Sequence, residues 1–229
     1  MKFKLGRLLS IIKSRELKFH TGQYGEDVFL HKQFRRLTSK GFYIDVGAHH
    51  PYAISNTSYL WSLGWNGVNV DASKAAIQEF KSARPDDLNI CAAVVSADKA
   101  QPGSSIRFYF NKDIDNSATC DVDIAKERGL LNSVDVPCVS MASLISQAKS
   151  NFGGNFDFLN VDIEGFDEVA ISDINSWPEK PKILMIEIYS RDMVELLARP
   201  SVHMLMNAGY LLVERMGHTA VFKRIEENA

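Results

Sequence analysis

Residues 42–55 read FYIDVGAHHPYAIS and decide the fold. An apolar run, typical of a buried β-strand, ends in Asp45, and Gly47 follows in what we expect to be a tight turn. In open α/β sheets, ligands bind beyond the carboxyl ends of such strands. A dinucleotide-binding turn would carry two further glycines, but this chain offers His49 and Pro51 instead. The turn therefore favours a ligand that does not press a pyrophosphate against the backbone.

A second acid lies at the end of the next predicted strand. Asp71 follows the apolar run of residues 68–70, and a carboxylate there can accept hydrogen bonds from both hydroxyls of a ribose. An adenosyl ligand without phosphates suits both turns, so these residues favour S-adenosylmethionine over NAD. Later β-rich runs also end in acids, namely Asp162 with Glu164, and Glu187. Each acid could instead cap a helix or lie in a solvated loop, but their recurrence at successive strand ends favours a shared site.

The pattern from residue 41 onward alternates β-rich runs with helical segments. This predicts a single α/β domain with a mainly parallel central sheet and helices on both faces. Strands are predicted at residues 42–46, 68–70, 90–95, 106–110, 156–161 and 183–188. Helices are predicted at residues 56–63, 73–84, 166–174, 192–199 and 201–208. Residues 210–214 and 220–224 are predicted to form a C-terminal antiparallel hairpin. Residues 113–123 are interpreted as an exposed loop, and no element is predicted between residues 132 and 155.

The composition is that of a globular domain without a nucleic-acid partner. The 229 residues are 45% hydrophobic and 24% charged, with a formal net charge of −2. Such a chain is long enough for one sizeable core and lacks the positive field that nucleic acid requires. Its three cysteines, Cys91, Cys120 and Cys138, are widely spaced, which favours reduced thiols in a cytoplasmic protein. No apolar run approaches the roughly 20 residues of a transmembrane helix.

The N-terminal segment, residues 1–21, is basic and amphipathic. Its apolar residues Leu5, Leu8, Leu9 and Ile12 follow helical spacing, and it lacks the apolar centre and cleavage site of a signal peptide. The favoured interpretation is a terminal helix that docks on the domain or on a second subunit of a homo-oligomer. The alternative is peripheral contact of residues 1–19 with anionic lipid at the inner face of the membrane.

Six blocks of sequence occur in an order that resembles one enzyme family. They are QYGEDVFL (23–30), FYIDVGAHHP with SNTSYL (42–60), GVNVDAS (67–73), AAVVS (92–96), FDFLNVDIEGFDEVAI (156–171) and KILMIEI (182–188). Together they resemble the FkbM-type S-adenosylmethionine-dependent methyltransferases across residues 22–224. The resemblance implies a single-domain Rossmann-like methyltransferase fold over residues 22–229, with S-adenosyl-L-methionine as the cofactor.

The resemblance also implies roles for individual residues. Those implied to bind the cofactor are Gln23, Glu26, Asp45, Gly47, His49, Asn56, Asp71, Ala72, Ala93 and Asp162. The turn after the first strand would contact the methionine end, and Asp71 would hold the ribose. Ala72 and Ala93 would flank the adenine, while Glu26 would face the α-ammonium group. Asn56 would bind either the cofactor or the substrate.

Methyl transfer to a sugar hydroxyl needs a base, because the hydroxyl is a poor nucleophile until its proton is accepted. Asp162 is the first candidate, as this base or as a ligand of the substrate, against a role confined to cofactor binding. His49, His50 and Glu187 are the rival candidates. A histidine has a suitable pKa near neutrality, but this adjacent pair could equally cap a helix or pack.

A divalent metal is a further alternative. Magnesium prefers oxygen ligands, and Asp162, Glu164 and a nearby acid could hold it beside the acceptor hydroxyls. The favoured interpretation is that Glu164 caps the helix after Gly165, because a carboxylate is stabilised near a helix N-terminus. No metal is therefore expected.

The resemblance implies an O-methyltransferase whose acceptor is a sugar hydroxyl of a glycan or glycosylated natural product, as in polysaccharide biosynthesis. O-methylation of a non-sugar metabolite and a non-catalytic S-adenosylmethionine-binding module are the alternatives. An NAD-dependent oxidoreductase is disfavoured by the missing glycines. Acceptor specificity would be sought in the polar loop of residues 116–119, for which a solvated connection is an equal alternative.

Overall fold

The computed structural model describes residues 21–34 and 40–225. The predicted basic segment, residues 1–21, lies outside the described residues except for Thr21. None of the helices within the described ranges has the length and apolar character needed to cross a membrane.

Ten strands and eight α-helices make up this part of the chain. The strands are β1 (Phe42–Val46), β2 (Asn66–Asp71), β3 (Leu88–Cys91), β4 (Ala93–Val94), β5 (Ser105–Phe110), β6 (Asn132–Val139), β7 (Phe156–Val161), β8 (Ile183–Glu187), β9 (Tyr210–Met216) and β10 (Thr219–Arg224). The helices are α1 (Glu26–Phe34), α2 (Ser58–Ser62), α3 (Lys74–Ala83), α4 (Val122–Glu127), α5 (Met141–Phe152), α6 (Asp167–Ala170), α7 (Met193–Leu197) and α8 (Pro200–Asn207), with a 3₁₀ turn at Ile174–Ser176.

Seven strands form the central sheet in the order β3-β2-β1-β7-β8-β10-β9. Neighbours from β3 to β8 pair in parallel, whereas β10 runs antiparallel to both β8 and β9. The predicted α/β class, the mainly parallel sheet and the C-terminal hairpin are therefore confirmed. Chain order reverses between β1 and β7, which is where an open α/β sheet leaves a crevice for a ligand.

The central strands are buried on both faces. Every residue of β1 and of β7 is buried, as expected for parallel strands covered by helices on both sides. At the end of β1 the chain turns at Gly47 with a φ of 77°, and a Cβ there would lie 1.7 Å from the carbonyl oxygen of Asp162. Only glycine lets the ends of β1 and β7 approach this closely.

The predicted strand at residues 90–95 is wrong as a single element. After β3 the backbone N–H of Ala92 bonds to the carbonyl oxygen of Asp71, and the chain then leaves the central sheet. β4 joins a second sheet of order β4-β6-β5. Residues 97–131, which join β4 to β6 and include β5 and α4, are called the insertion below.

Three helix predictions also need correction. The structure has a helix, α5, that was not predicted, although Ser140 caps it and its buried residues Met141, Leu144, Ile145 and Ala148 follow helical spacing. The helices predicted at residues 56–63 and 166–174 are shorter than expected, because the chain ahead of each forms the loops that border the cavity described below. By contrast, the helix predicted at 73–84 is confirmed as α3, where the Ser73 hydroxyl accepts from the Ala76 N–H.

A buried arginine ties the loop after β1 to the sheet. Arg84 follows α3 and is fully buried. Its Nη1 donates to the Tyr43 hydroxyl at 3.1 Å and to Thr57 Oγ1 at 2.9 Å. Its Nη2 donates to Ser55 Oγ at 3.2 Å and to the carbonyl oxygen of Pro51. The guanidinium therefore fixes the loop of residues 51–57 against β1.

Candidate functional site

A cavity of about 290 Å³ lies at the carboxyl ends of the parallel strands, beside the point where chain order reverses. The insertion covers it through residues that include Phe108, Asn116 and Thr119. The cavity brings together eleven of the predicted cofactor-binding and catalytic residues, namely Gln23, Glu26, Asp45, Gly47, His49, Asn56, Asp71, Ala72, Ala93, Asp162 and Glu187.

Asp71 is the last residue of β2, and its carboxylate accepts hydrogen bonds from two backbone N–H groups. Oδ2 accepts from the His49 N–H at 2.9 Å, and Oδ1 accepts from the Ser73 N–H at 2.7 Å. Burial raises the pKa of Asp71, while the two backbone N–H groups act in the opposite direction. Because each carboxylate oxygen has two lone pairs, both can still accept a further hydrogen bond from a ligand.

Beyond Asp71 the cavity wall is apolar. Ala93 and Phe108 are buried together with Val136, and Ala72 and Ala118 pack against this cluster. Small side chains on one side and an aromatic ring on the other create a wall that suits a flat, weakly polar ring. Phe108 and Ala118 belong to the insertion, whose pattern gave no indication of this role.

Asp45 organises a buried polar chain under the cavity. Its Oδ2 accepts from Thr57 Oγ1 at 2.6 Å, and its Oδ1 accepts from Asn160 Nδ2 at 2.9 Å. Asn160 Oδ1 in turn accepts from Asn56 Nδ2 at 3.0 Å. Burial raises the pKa of Asp45, and the hydrogen bonds from Thr57 and Asn160 oppose that shift. Asn56 is thus held in a fixed orientation at the cavity surface.

The segment before α1 closes one side of the cavity. Glu26 is buried, and its Oε2 accepts from the Tyr24 N–H at 2.8 Å. Its Oε1 accepts from Thr219 Oγ1 at 3.3 Å, which links the segment to β10. Gln23 and Tyr24 line the cavity beside it.

The two adjacent histidines have different surroundings. His49 lines the cavity with a backbone φ of 55°, and burial lowers the pKa of its half-buried ring. His50 does not line the cavity as far as the described residues define it. Its Nδ1 accepts from the N–H groups of Tyr52 and Ala53, each at 3.0 Å. His50 therefore holds the turn after β1, and the structure does not bring this catalytic candidate to the other site residues.

Asp162 and Glu187, at the ends of neighbouring strands, meet in a cluster of acids. One oxygen atom from each of Asp162, Asp167 and Glu187 lies within 4.8 Å of the others. Burial and the nearby carboxylates, Glu187 foremost, raise the pKa of Asp162 well above its usual range. Burial and the charges of Asp167 and Glu164 raise the pKa of Glu187 to about 7. The pair therefore retains a proton near neutral pH, because two close carboxylates do not both ionise readily.

Glu164 does not cap α6, so that prediction is wrong. Its carboxylate pairs with Arg128 of the insertion at 2.7 Å, and its carbonyl oxygen accepts from Thr119 Oγ1 at 2.9 Å. Asp167 instead accepts from the N–H groups of Ile163 and Gly165 and so shapes the loop before the helix. The carboxylates that could hold a cation are accordingly Asp162, Asp167 and Glu187, and not the pair of Asp162 and Glu164.

Several cavity residues were missed by sequence reasoning. Tyr189 lies just after β8 and His218 lies just before β10, and their ring centroids are 4.6 Å apart. Both line the cavity next to Glu187, as does Phe166. The pairing of β8 with β10 brings these side chains together across residues distant in sequence. No local pattern could have indicated it.

The comparisons with known proteins agree with this geometry. A family model described as the methyltransferase FkbM domain matches residues 45–211. The matched stretch begins at Asp45, within β1, and includes Asp71, Asp162 and Glu187. No curated protein sequence matches the chain.

Proposed function

Because the chain belongs to the FkbM-domain family of methyltransferases, we propose that it transfers a methyl group from S-adenosylmethionine to a sugar hydroxyl. Three features support this proposal: a cavity at the strand ends, an apolar wall beside a ribose-type acid, and a partly protonated acid pair. The acid pair of Asp162 and Glu187 is the observation that carries the reaction type.

The described residues fit an adenosyl cofactor. The wall of Ala72, Ala93 and Phe108 matches a flat purine, and Asp71 at its edge has the acceptor lone pairs that a ribose diol needs. Gly47 leaves the backbone of the turn open to close approach, because it carries no side chain. Glu26 offers a buried carboxylate suited to an ammonium group. The cofactor supplies an electrophilic methyl group on a sulfonium.

The acid pair supplies the complementary chemistry on the acceptor side. A hydroxyl that attacks a methyl group becomes more acidic as its oxygen–carbon bond forms, so a nearby base accelerates the reaction. A base with a pKa close to the working pH is the most effective, and the pKa of Glu187 is about 7. In this mechanism the pair, carrying one proton, takes up the proton of the acceptor hydroxyl.

Alignment contributes the rest of the rate. An in-line displacement depends on how well the two reactants are oriented. Asn56, held by Asn160, and the insertion above the cavity orient the acceptor and exclude water from the transfer. The aromatic rings of Tyr189 and His218 lie beside the acid pair, where the ring face of a sugar can pack. Together with the family resemblance, this favours a sugar over an open-chain metabolite.

Substitution of Asp71 tests the cofactor site. Asp71→Ala removes a charged acceptor for the ribose hydroxyls, which contributes about 1.5–3 kcal/mol to binding. Calorimetric titration is expected to show weaker binding of S-adenosylmethionine by that amount, and wild-type protein is expected to bind no NAD. The exposed Asp86→Ala serves as the control and should bind normally. Unchanged affinity in a folded Asp71→Ala variant would place the ribose elsewhere.

A further inference from the structure

Acidic side chains are prominent among the described residues that line the cavity. Seven of its lining residues are Asp or Glu, and none of those in the described ranges is Lys or Arg. Three of the acids, Asp162, Glu164 and Glu187, lie together at the end where methyl transfer is proposed. A ligand group entering this end therefore meets carboxylates and, among the described lining residues, no lysine or arginine side chain.

The guanidinium of Arg128, next to these acids, is already engaged. Arg128 pairs with Glu164 Oε2 at 2.7 Å and donates through Nη1 to the carbonyl oxygen of Ser117 at 3.0 Å. Arg128 and Glu164 are both largely covered, with side-chain exposures of 28% and 23%. The ion pair closes one boundary of the acceptor end and cancels the charge of Arg128 there.

Two aromatic side chains, His218 and Tyr189, also line this end. The Nδ1 atom of His218 is buried and has no hydrogen-bond partner within the part of the chain that the structure describes. A hydroxyl or amine of a ligand can satisfy such an atom, whereas a carboxylate can do so only if the histidine donates a proton. The Tyr189 ring beside it is 47% exposed and offers an apolar face.

We infer that the acceptor is a sugar whose reacting ring carries no negative charge, so neutral and amino sugars are substrates and uronic acids are not. This inference rests on the proposed function and narrows its substrate class. A carboxylate brought next to Asp162 and Glu187 would lose its hydration without gaining a lysine or arginine partner among the described lining residues, and like charges disfavour the complex. Repulsion of this kind is a common source of specificity.

Matched glycans that differ only in charge test the inference. Oligosaccharides that contain uronic acids are compared with the same preparations after chemical reduction of their carboxyl groups, alongside neutral and amino-sugar oligosaccharides. Transfer from labelled S-adenosylmethionine is measured as kcat/KM for each. The reduced form is expected to exceed its acidic parent by at least about tenfold.

A charge change at the ion pair gives the sharper test. Glu164→Gln keeps the shape of the side chain and leaves Arg128 with an uncompensated positive charge. The ratio of kcat/KM for the acidic parent to that for its reduced form should rise by about tenfold. The double variant Glu164→Gln, Arg128→Gln restores the original net charge and should restore the original ratio. Using the ratio removes any common effect of Glu164 on the acid pair.

The outcomes distinguish the proposed methyl transfer to a sugar from the inference about the charge of that sugar. A wild-type enzyme that methylates the acidic glycan as well as its reduced form overturns the inference and leaves the proposed function intact. A ratio that does not respond to Glu164→Gln also overturns it. Failure to methylate any glycan by protein that binds S-adenosylmethionine contradicts the sugar assignment, and the inference falls with it.

Discussion

Asp162→Asn is expected to lower the rate of methyl transfer by about a hundredfold or more while cofactor binding changes little. The amide is nearly isosteric with the carboxyl group but cannot take part in proton uptake with Glu187. A loss confined to kcat, with the Kd for S-adenosylmethionine retained, marks an interaction made in the transition state. Single-turnover kinetics under saturating cofactor measure the effect.

The pH dependence of wild-type turnover provides the accompanying signature. Because burial raises the pKa of Glu187 to about 7 and the pair acts as a base, the rate should rise as pH increases through about 7 and then level off. Glu187→Gln should remove this rise. Loss of cofactor binding in Asp162→Asn would instead make Asp162 a cofactor ligand. Normal turnover in that variant would transfer the role of base to Glu187 or His49.

Stability measurements can show whether these variants remain folded. A carboxyl group whose pKa is raised on folding contributes stability below its unfolded pKa, near 4.5 for Glu187, and this is lost as pH rises through about 7. Ionisation of Glu187 near neutral pH therefore lowers the free energy of unfolding of the wild type. Glutamine does not ionise, so above pH 7 the free energy of unfolding of Glu187→Gln should be no lower than that of the wild type.

Arg84→Met should lower the free energy of unfolding by about 3–5 kcal/mol, the largest stability change expected here. Methionine fills part of the volume but removes the donors to Thr57 Oγ1 and to the carbonyl oxygen of Pro51. It also removes a positive charge that is linked to two buried carboxylates, Asp45 through the Thr57 hydroxyl and Asp87 through the Tyr43 hydroxyl. Urea unfolding followed by fluorescence measures the change.

A surface arginine supplies the matched control for this prediction. Arg107 pairs with Asp135 at 3.2 Å, with both side chains about half exposed. Arg107→Met should change the free energy of unfolding by less than about 1 kcal/mol. Equal effects of the two substitutions would show that the buried network contributes no more than a surface ion pair. Arg84→Met should also weaken cofactor binding, since Arg84 fixes the loop that carries Asn56.

Much of the cavity could be predicted because parallel strands bring their carboxyl ends to one edge of the sheet. Asp45, Asp71, Asp162 and Glu187 each end a β-rich run, so their assembly follows once the sheet is recognised. The glycine at position 47 was identifiable for the same reason. The local sequence pattern was therefore sufficient to predict the cofactor-binding part of the site.

The rest depends on contacts between distant segments. Arg84 lies beyond the end of a helix, and nothing in its local sequence distinguishes a buried arginine from an exposed one. The ion pair of Glu164 and Arg128 joins the loop after β7 to the insertion, whose polar sequence gave no indication that it pairs with β6 or covers the cavity. The role of His50 could not be predicted either, because the same local sequence is compatible with a histidine that caps a turn and with a catalytic histidine.

Transfer of an isotopically labelled methyl group from S-adenosylmethionine to a glycan, followed by mass spectrometry, tests the central claim most directly. The account predicts one labelled methyl on a hydroxyl oxygen of each modified sugar, formed by wild-type protein and lost in Asp162→Asn. Wild-type protein that binds S-adenosylmethionine yet leaves every sugar unlabelled would contradict it.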